Sequence, residues 1–136
     1  VPWEIETSND YMDKLKIKAP NINALCGNLS GGNQQKVILS KWLAAGVKLL
    51  ILDEPTKGID VNARAEFYAL MNQFVEDGGC IIMISSDMPE VIKVADRAYV
   101  MSEGRLTGEL TREEITEINL ISLANPVTDG SNKQAQ

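Results

Sequence analysis

Leu49-Leu50-Ile51-Leu52-Asp53-Glu54-Pro55-Thr56 is the stretch on which the fold turns. Its four consecutive aliphatic residues show no alternation of apolar and polar positions. They read as a strand buried on both faces, as in a parallel sheet. Carboxylates just past the end of such a strand lie where open α/β sheets bind ligands. An aspartate there can hold Mg2+, directly or through water, and a neighbouring glutamate can orient or deprotonate a water. Taken alone, four aliphatics and two acids also fit a solvated strand end.

Working downstream, Thr56 to Asp60 reads as a loop, and Asp60 can cap a helix carrying Phe67, Leu70, Met71 and Phe74 at i, i+3, i+4, i+7. Gly78-Gly79 breaks it, and Cys80 to Ile84 is a second buried strand ending in Ser85-Ser86-Asp87. A short helix follows over Pro89 to Val94. Arg97 to Ser102 and Arg105 to Leu110 then read as two strands turning at Glu103-Gly104. Thr111-Arg112-Glu113-Glu114 is a capping box opening a final helix, and from Asn125 onward the chain is a polar tail.

Working upstream, Ser30 caps a helix running to about Ala45, with Ile38, Trp42 and Ala45 on one face and Gly46 as its stop. Val1 to Asn28 is polar, holds one amphipathic helix around Asn9 to Ile17, and has no hydrophobic nucleus of its own. Apolar strands alternating with helices predict an α/β fold, a parallel sheet layered with helices.

Composition narrows the function classes. Thirteen basic residues against nineteen acidic ones leave a net charge of −6, which disfavours binding bulk nucleic acid or an anionic membrane surface through a basic face. The longest apolar run is far short of the ~20 residues of a membrane helix. The absence of histidine excludes a Ser-His or Cys-His pair and His-ligated zinc within these residues. Cys26 and Cys80 match no metal spacing and read as free thiols. Trp3, Trp42, Met83, Met88 and Met101 read as packing residues, and Asp10, Asp13, Glu113, Glu114 and Glu117 as solvated faces.

Leu29-Ser30-Gly31-Gly32-Asn33-Gln34-Gln35 is a second functional signal. Two glycines and a serine at a helix start let an anion approach open backbone N–H groups at the positive dipole end. An ordinary capped helix reads the same way.

In order and spacing, the two signals together resemble the ATP-binding-cassette (ABC) ATPases over roughly Asn28 to Leu110. The resemblance implies a P-loop NTPase-like fold. Leu29 to Asn33 match the family's signature, with Asn33 where glutamine is usual, and Gln34 follows. Leu49 to Asp53 match Walker B, with Asp53 toward Mg2+. Glu54 matches the catalytic glutamate, and Lys57-Gly58-Ile59-Asp60 match the D-loop. Ser86 stands where the switch histidine is usual. The variants Asn33-Gln34-Gln35-Lys36, Lys57 to Asp60 and Ser85 to Glu90 are similar to the second cassette of ribose, xylose and galactose importers.

The resemblance implies an ATPase that uses ATP and Mg2+ to drive carbohydrate uptake. Its partners would be a second cassette, transmembrane permease subunits and, indirectly, a sugar-binding protein, on the cytoplasmic face of the membrane. Nucleic acid is not among the partners it implies. Leu29, Ser30, Gly31, Gly32, Asn33, Gln34 and Asp60 would then face nucleotide. The signature would act in trans, with Gly31 and Gly32 needed because a side chain would hold the phosphate off the backbone. Residues 1–28 would be a remnant of the helical subdomain, 29–110 the core, 111–124 a C-terminal helix and 125–136 a tail. No Gly-x-x-x-x-Gly-Lys-Ser/Thr phosphate loop occurs in these residues. Two rival readings stay open. One is a regulatory cassette that clamps nucleotide in trans with little hydrolysis of its own, which Ser86 favours and Glu54 opposes. The other is a phosphate-binding α/β domain unrelated to transport.

Overall fold

The computed structural model describes residues 1–125 and divides them into two compact units, Val1–Ile84 and the residues from Ser85 on. The predicted polar tail lies outside the described residues apart from Asn125.

The first unit holds α1 (Pro2–Lys14), α2 (Gly31–Ala44), β1 (Leu49–Asp53), α3 (Val61–Glu76) and β2 (Cys80–Ile84). β1 and β2 pair in parallel, Leu49 opposite Cys80 through Asp53 opposite Ile84. The α/β class with a parallel strand pair is therefore as expected. The first helix starts seven residues earlier than predicted, because Pro2 is pre-set for a first helical turn and nothing up to Lys14 interrupts it. It stops where Lys16 takes a left-handed conformation (φ 50°).

The buried set of this unit is Leu15, Leu39, Leu50, Ile59, Phe67, Tyr68 and Met71, and α3 packs on both α2 and β2. β1 is not buried on both faces as its composition predicts. Leu50 is 4% exposed, but Leu49 and Ile51, with Ile82 and Ile84 on β2, are about half exposed or more. Strand alternation puts these on one face, and among the described residues no layer of this unit covers it. The expected face of α2 is corrected too. Gly32, Lys36 and Leu39 point inward, whereas Ile38 and Trp42 are exposed and flank an apolar hollow of about 380 Å³ beside β1. Trp3 and Met101 are also exposed rather than packed.

The second unit holds α4 (Met88–Val94), β3 (Arg97–Ser102), β4 (Arg105–Thr111) and α5 (Glu117–Ala124). β3 and β4 form the expected hairpin, turning through Glu103 (φ 48°) and Gly104 (φ 75°) as a two-residue turn of this hand requires. Ala98, Val100, Leu110, Ile115 and Leu120 form its core. The capping box at Thr111 and Glu114 is present, but it opens a 3₁₀ turn over Arg112–Glu114. Thr116 caps α5 separately, accepting from the Asn119 N–H at 3.2 Å.

Candidate functional site

The start of α2 carries the Ser-Gly-Gly segment. Ser30 is its N-cap residue by position, and its carbonyl accepts from the Gln34 N–H at 2.9 Å. Its hydroxyl does not cap the helix backbone. It accepts instead from Asn33 Nδ2 at 2.8 Å. The remaining Asn33 oxygen, Oδ1, accepts from the Lys18 N–H at 2.8 Å, and the Gln34 side chain donates back to the Leu29 carbonyl at 2.8 Å. Both amides of the segment thus hold the loop that leads into the helix. Ser30 and Gly31 are exposed, and the first-turn N–H groups of any helix lack an acceptor inside it.

Gly32 is buried for a reason the sequence did not reveal. A Cβ there would lie 2.7 Å from the Cβ of Ala63 in α3 and 3.6 Å from Ile59 Cγ2. Its lack of a side chain is required by the α2–α3 contact before any ligand is considered. A Cβ on Gly31 would meet only the Gly58 carbonyl, at 3.7 Å, an ordinary contact. The sequence reading assigns both glycines to a phosphate; the structure adds a packing demand at Gly32 and none at Gly31.

The loop from β1 to α3 runs from Asp53-Glu54 to residues that meet the start of α2. Asp53 ends β1 exposed, and Glu54 follows half-buried at φ 45°. A left-handed conformation costs a residue with a Cβ about 1–2 kcal/mol, and such residues cluster at functional sites. Glu54 is held there by its own N–H, which donates to the Ile84 carbonyl at 2.8 Å, and by the Lys57 N–H, which donates to its carbonyl at 3.1 Å. Thr56 and Ile59 are buried, which anchors the loop. Asp60 caps α3 as expected, its Oδ1 accepting from the Ala63 N–H at 3.0 Å. Ser30, Gly31 and Gly32 therefore sit against Gly58 to Ala63, and a polar recess of about 260 Å³ opens between Ser30, Asn33, Lys36, Asp60 and Glu66.

Lys36 was not anticipated, although it shares the inward stripe of Gly32 and Leu39. It is 4% exposed, pairs with Glu66 at 2.6 Å, and donates to the Lys16 carbonyl at 3.3 Å. The Lys36 ammonium, by hydrogen bond and then by charge, holds the Glu66 carboxyl below its ordinary range.

Ser86 belongs to the second unit and is exposed. Beside it, Ser85 donates to the carboxylate of Glu90, which is 3% exposed. Ser85 Oγ accepts from the Asp87 N–H at 3.1 Å, and Asp87 caps α4 through the Glu90 N–H. In the sequence Glu90 stands only as the end of the Ser85 to Glu90 variant, with no sign of its burial. For a divalent cation, no group of three His, Cys, Asp or Glu converges among the described residues. A single exposed carboxylate such as Asp53 fits Mg2+, which keeps waters and needs one or two carboxylates plus phosphate oxygens. No helix among the described residues is long and apolar enough to cross a membrane.

The family model described as ABC transporter matches residues 3–57. The chain is 47% identical over 127 residues to a ribose import ATP-binding protein of Yersinia pestis, covering 93% of this chain and 25% of that protein. It is 55% identical over 120 residues to a protein of Rhizobium etli named as a putative ribose/galactose/methyl galactoside import ATP-binding protein, covering 88% and 23%. It is 52% identical over 121 residues to a xylose import ATP-binding protein of Moorella thermoacetica, covering 89% and 24%. The chain thus spans about a quarter of the length of these relatives. Among solved structures, an ATP-binding cassette of an ABC transporter superposes with a TM-score of 0.75 at 22% identity, over 88% of this chain and 49% of that one. A nucleotide-free cassette gives 0.75 at 24% identity, over 86% and 46%. At that identity the likeness is one of fold.

Proposed function

We propose a function from one premise, that the chain is a relative of the ABC transporter ATP-binding proteins of sugar import: it serves ATP hydrolysis that drives carbohydrate uptake. Residues 29–110 would supply the signature, the Walker B strand and the loops around them, with residues 1–28 the remnant of a helical subdomain. The observation that carries this reading is the start of α2. An exposed Ser30 and a helix N-terminus are seated by Gly32 on the loop that begins at Asp53-Glu54.

Each residue has a role that its placement supports. Ser30 and Gly31, exposed at a helix start, would meet the phosphates of ATP held by a partner cassette. Asp53 would hold Mg2+, whose charge would offset that of the phosphates. Glu54 would orient or deprotonate the attacking water. Asp60, already committed to capping α3, would shape the loop between the two sites. Asn33 and Gln34 fix the signature loop, and Ser86 would face the phosphate from the switch position. Such catalysis is positioning and charge stabilisation rather than covalent chemistry. Permease subunits in the membrane, and a sugar-binding protein behind them, would be the coupled partners, with the cassette on the cytoplasmic face.

The test is Glu54→Gln in a full-length protein carrying this segment, read by single-turnover hydrolysis at this site. ATP binding should persist while the rate falls ~10²–10⁴-fold, the usual worth of a positioned base. An unchanged rate removes Glu54 from the chemistry. It would favour the second reading, a regulatory cassette with little turnover of its own, which serine at position 86 supports.

A further inference from the structure

We infer that Asn33 is a positioning residue, whose side chain sets the direction of the Ser30 hydroxyl and ties it to the segment Lys16–Lys18. The inference rests on the reading of Ser30 as a group that meets a phosphate.

The hydrogen-bond polarity follows from which atoms can donate. The Lys18 N–H is a donor only, so the Asn33 atom that meets it at 2.8 Å must be the carbonyl oxygen. This fixes the amide: the other end, 2.8 Å from Ser30 Oγ, must be the NH₂ group. A hydroxyl offers one proton and two lone pairs. With one lone pair taken by Asn33, the Ser30 proton is not spent on that residue and is available to an acceptor outside the helix. A phosphate oxygen is an acceptor with no proton to give, so an outward-facing hydroxyl proton is the polarity it needs.

The anchor of this arrangement is itself anchored. One turn further along α2, the buried Lys36 ammonium donates to the Lys16 carbonyl at 3.3 Å and pairs with Glu66 of α3 at 2.6 Å. Two side chains of α2, three residues apart and so on one face, therefore hold both ends of Lys16–Lys18. If that segment lifts, Asn33 loses the one contact that forbids its amide to turn over. A reversed amide would present its oxygen to Ser30 and draw the hydroxyl proton inward. The segment before the signature thereby controls whether the signature serine can donate.

A double-mutant cycle in a full-length protein carrying this segment tests the inference. The readout is the ATP concentration for half-maximal pairing of cassettes, followed by light scattering. Ser30→Ala should raise that concentration about ten- to a hundredfold, since hydrogen bonds to charged groups are worth about 1.5–3 kcal/mol and 1.4 kcal/mol is tenfold. Asn33→Ala should raise it several-fold, and the double variant should be no worse than Ser30→Ala alone. If Asn33→Ala costs as much when Ser30 is already absent, Asn33 does not act through Ser30 and the inference falls with the clamp intact. If Ser30→Ala leaves pairing unchanged, the clamp reading fails and the inference with it. A readout independent of nucleotide accompanies these: in ¹⁵N spectra of the 136-residue chain, Ser30→Ala should shift the Asn33 side-chain NH₂ signals. Unmoved signals in that variant overturn the hydrogen bond and the inference together.

Discussion

Two adjacent glycines, Gly31 and Gly32, should respond to alanine in opposite ways. A methyl on Gly32 would start 2.7 Å from the Ala63 methyl, where carbon atoms rest at about 3.5–4.0 Å. The starts of α2 and α3 must part by about 1 Å, and Ala63 has no rotamer with which to yield. Overpacking of this kind costs about 1–3 kcal/mol, offset by up to ~1 kcal/mol from replacing glycine in a helix. The net expectation for Gly32→Ala is a loss of about 1–2 kcal/mol. Gly31→Ala meets only a carbonyl oxygen at 3.7 Å, so its fold stability should be unchanged or slightly raised. Both tryptophans lie in the first unit, so urea unfolding followed by tryptophan fluorescence reports on the right part of the chain. With a urea slope of roughly 2 kcal/mol/M, Gly32→Ala should lower the midpoint by about 0.5–1 M. Equal midpoints for the two variants would refute the packing argument. The result also decides how the signature is probed. Gly32→Asp would disrupt the helix contact before its charge met any phosphate. Gly31→Asp keeps the contact and is the substitution whose loss of ATP-dependent pairing would speak to the clamp.

Three further outcomes are expected. Glu66 is held below its ordinary carboxylate range by Lys36, so the stability it adds is complete above the unfolded value near 4.5 and is lost as pH falls through the folded one. Glu66→Gln should lower the urea midpoint at pH 7, where the buried Lys36 ammonium loses its carboxylate partner, and flatten the acid side of a plot of midpoint against pH; parallel curves refute the pairing. The 136-residue chain should not bind MgATP tightly, since no phosphate loop is present to supply the backbone nest and lysine. Stoichiometric micromolar binding in a calorimetric titration would imply another nucleotide site. The exposed apolar face of β1 and β2 should raise anilinonaphthalene sulfonate fluorescence, and Ile51→Lys together with Ile82→Lys should abolish most of the rise; an unchanged signal means that the dye binds elsewhere.

What could be read from the sequence was whatever a short segment dictates by itself. Four aliphatics ending in Asp53-Glu54 form a strand, which pairs in parallel with β2 as read. Glu103-Gly104 makes a tight turn because both residues can take positive φ, and Asp60 caps α3 with its own side chain. The motif order carried the resemblance, which relatives of the chain at 47–55% identity bear out. The errors fall where a neighbour decides. Ile38 and Trp42 have helical spacing, but Gly32, Lys36 and Leu39 have it too, and a lysine among them argues against the stripe that is in fact buried. Only the arrival of Glu66 and the Lys16 carbonyl makes an inward lysine tolerable.

The same distinction separates the two halves of the candidate site. Glycine, serine and paired acids announce themselves because their chemistry is local, so Ser30, Asp53 and Glu54 stand out in the sequence as candidates. The residues that hold them were not. Asn33 looked like a ligand contact and proves to have its amide engaged on both sides, by Lys18 and Ser30. Gly32 looked like room for a phosphate and also makes room for Ala63. In each case the side chain, or its absence, is accounted for inside the protein by a partner fifteen or more residues away, a distance over which no periodicity or motif speaks. A substitution at such a position therefore changes geometry before it changes chemistry, and its effect on nucleotide is interpretable only beside a measurement of stability.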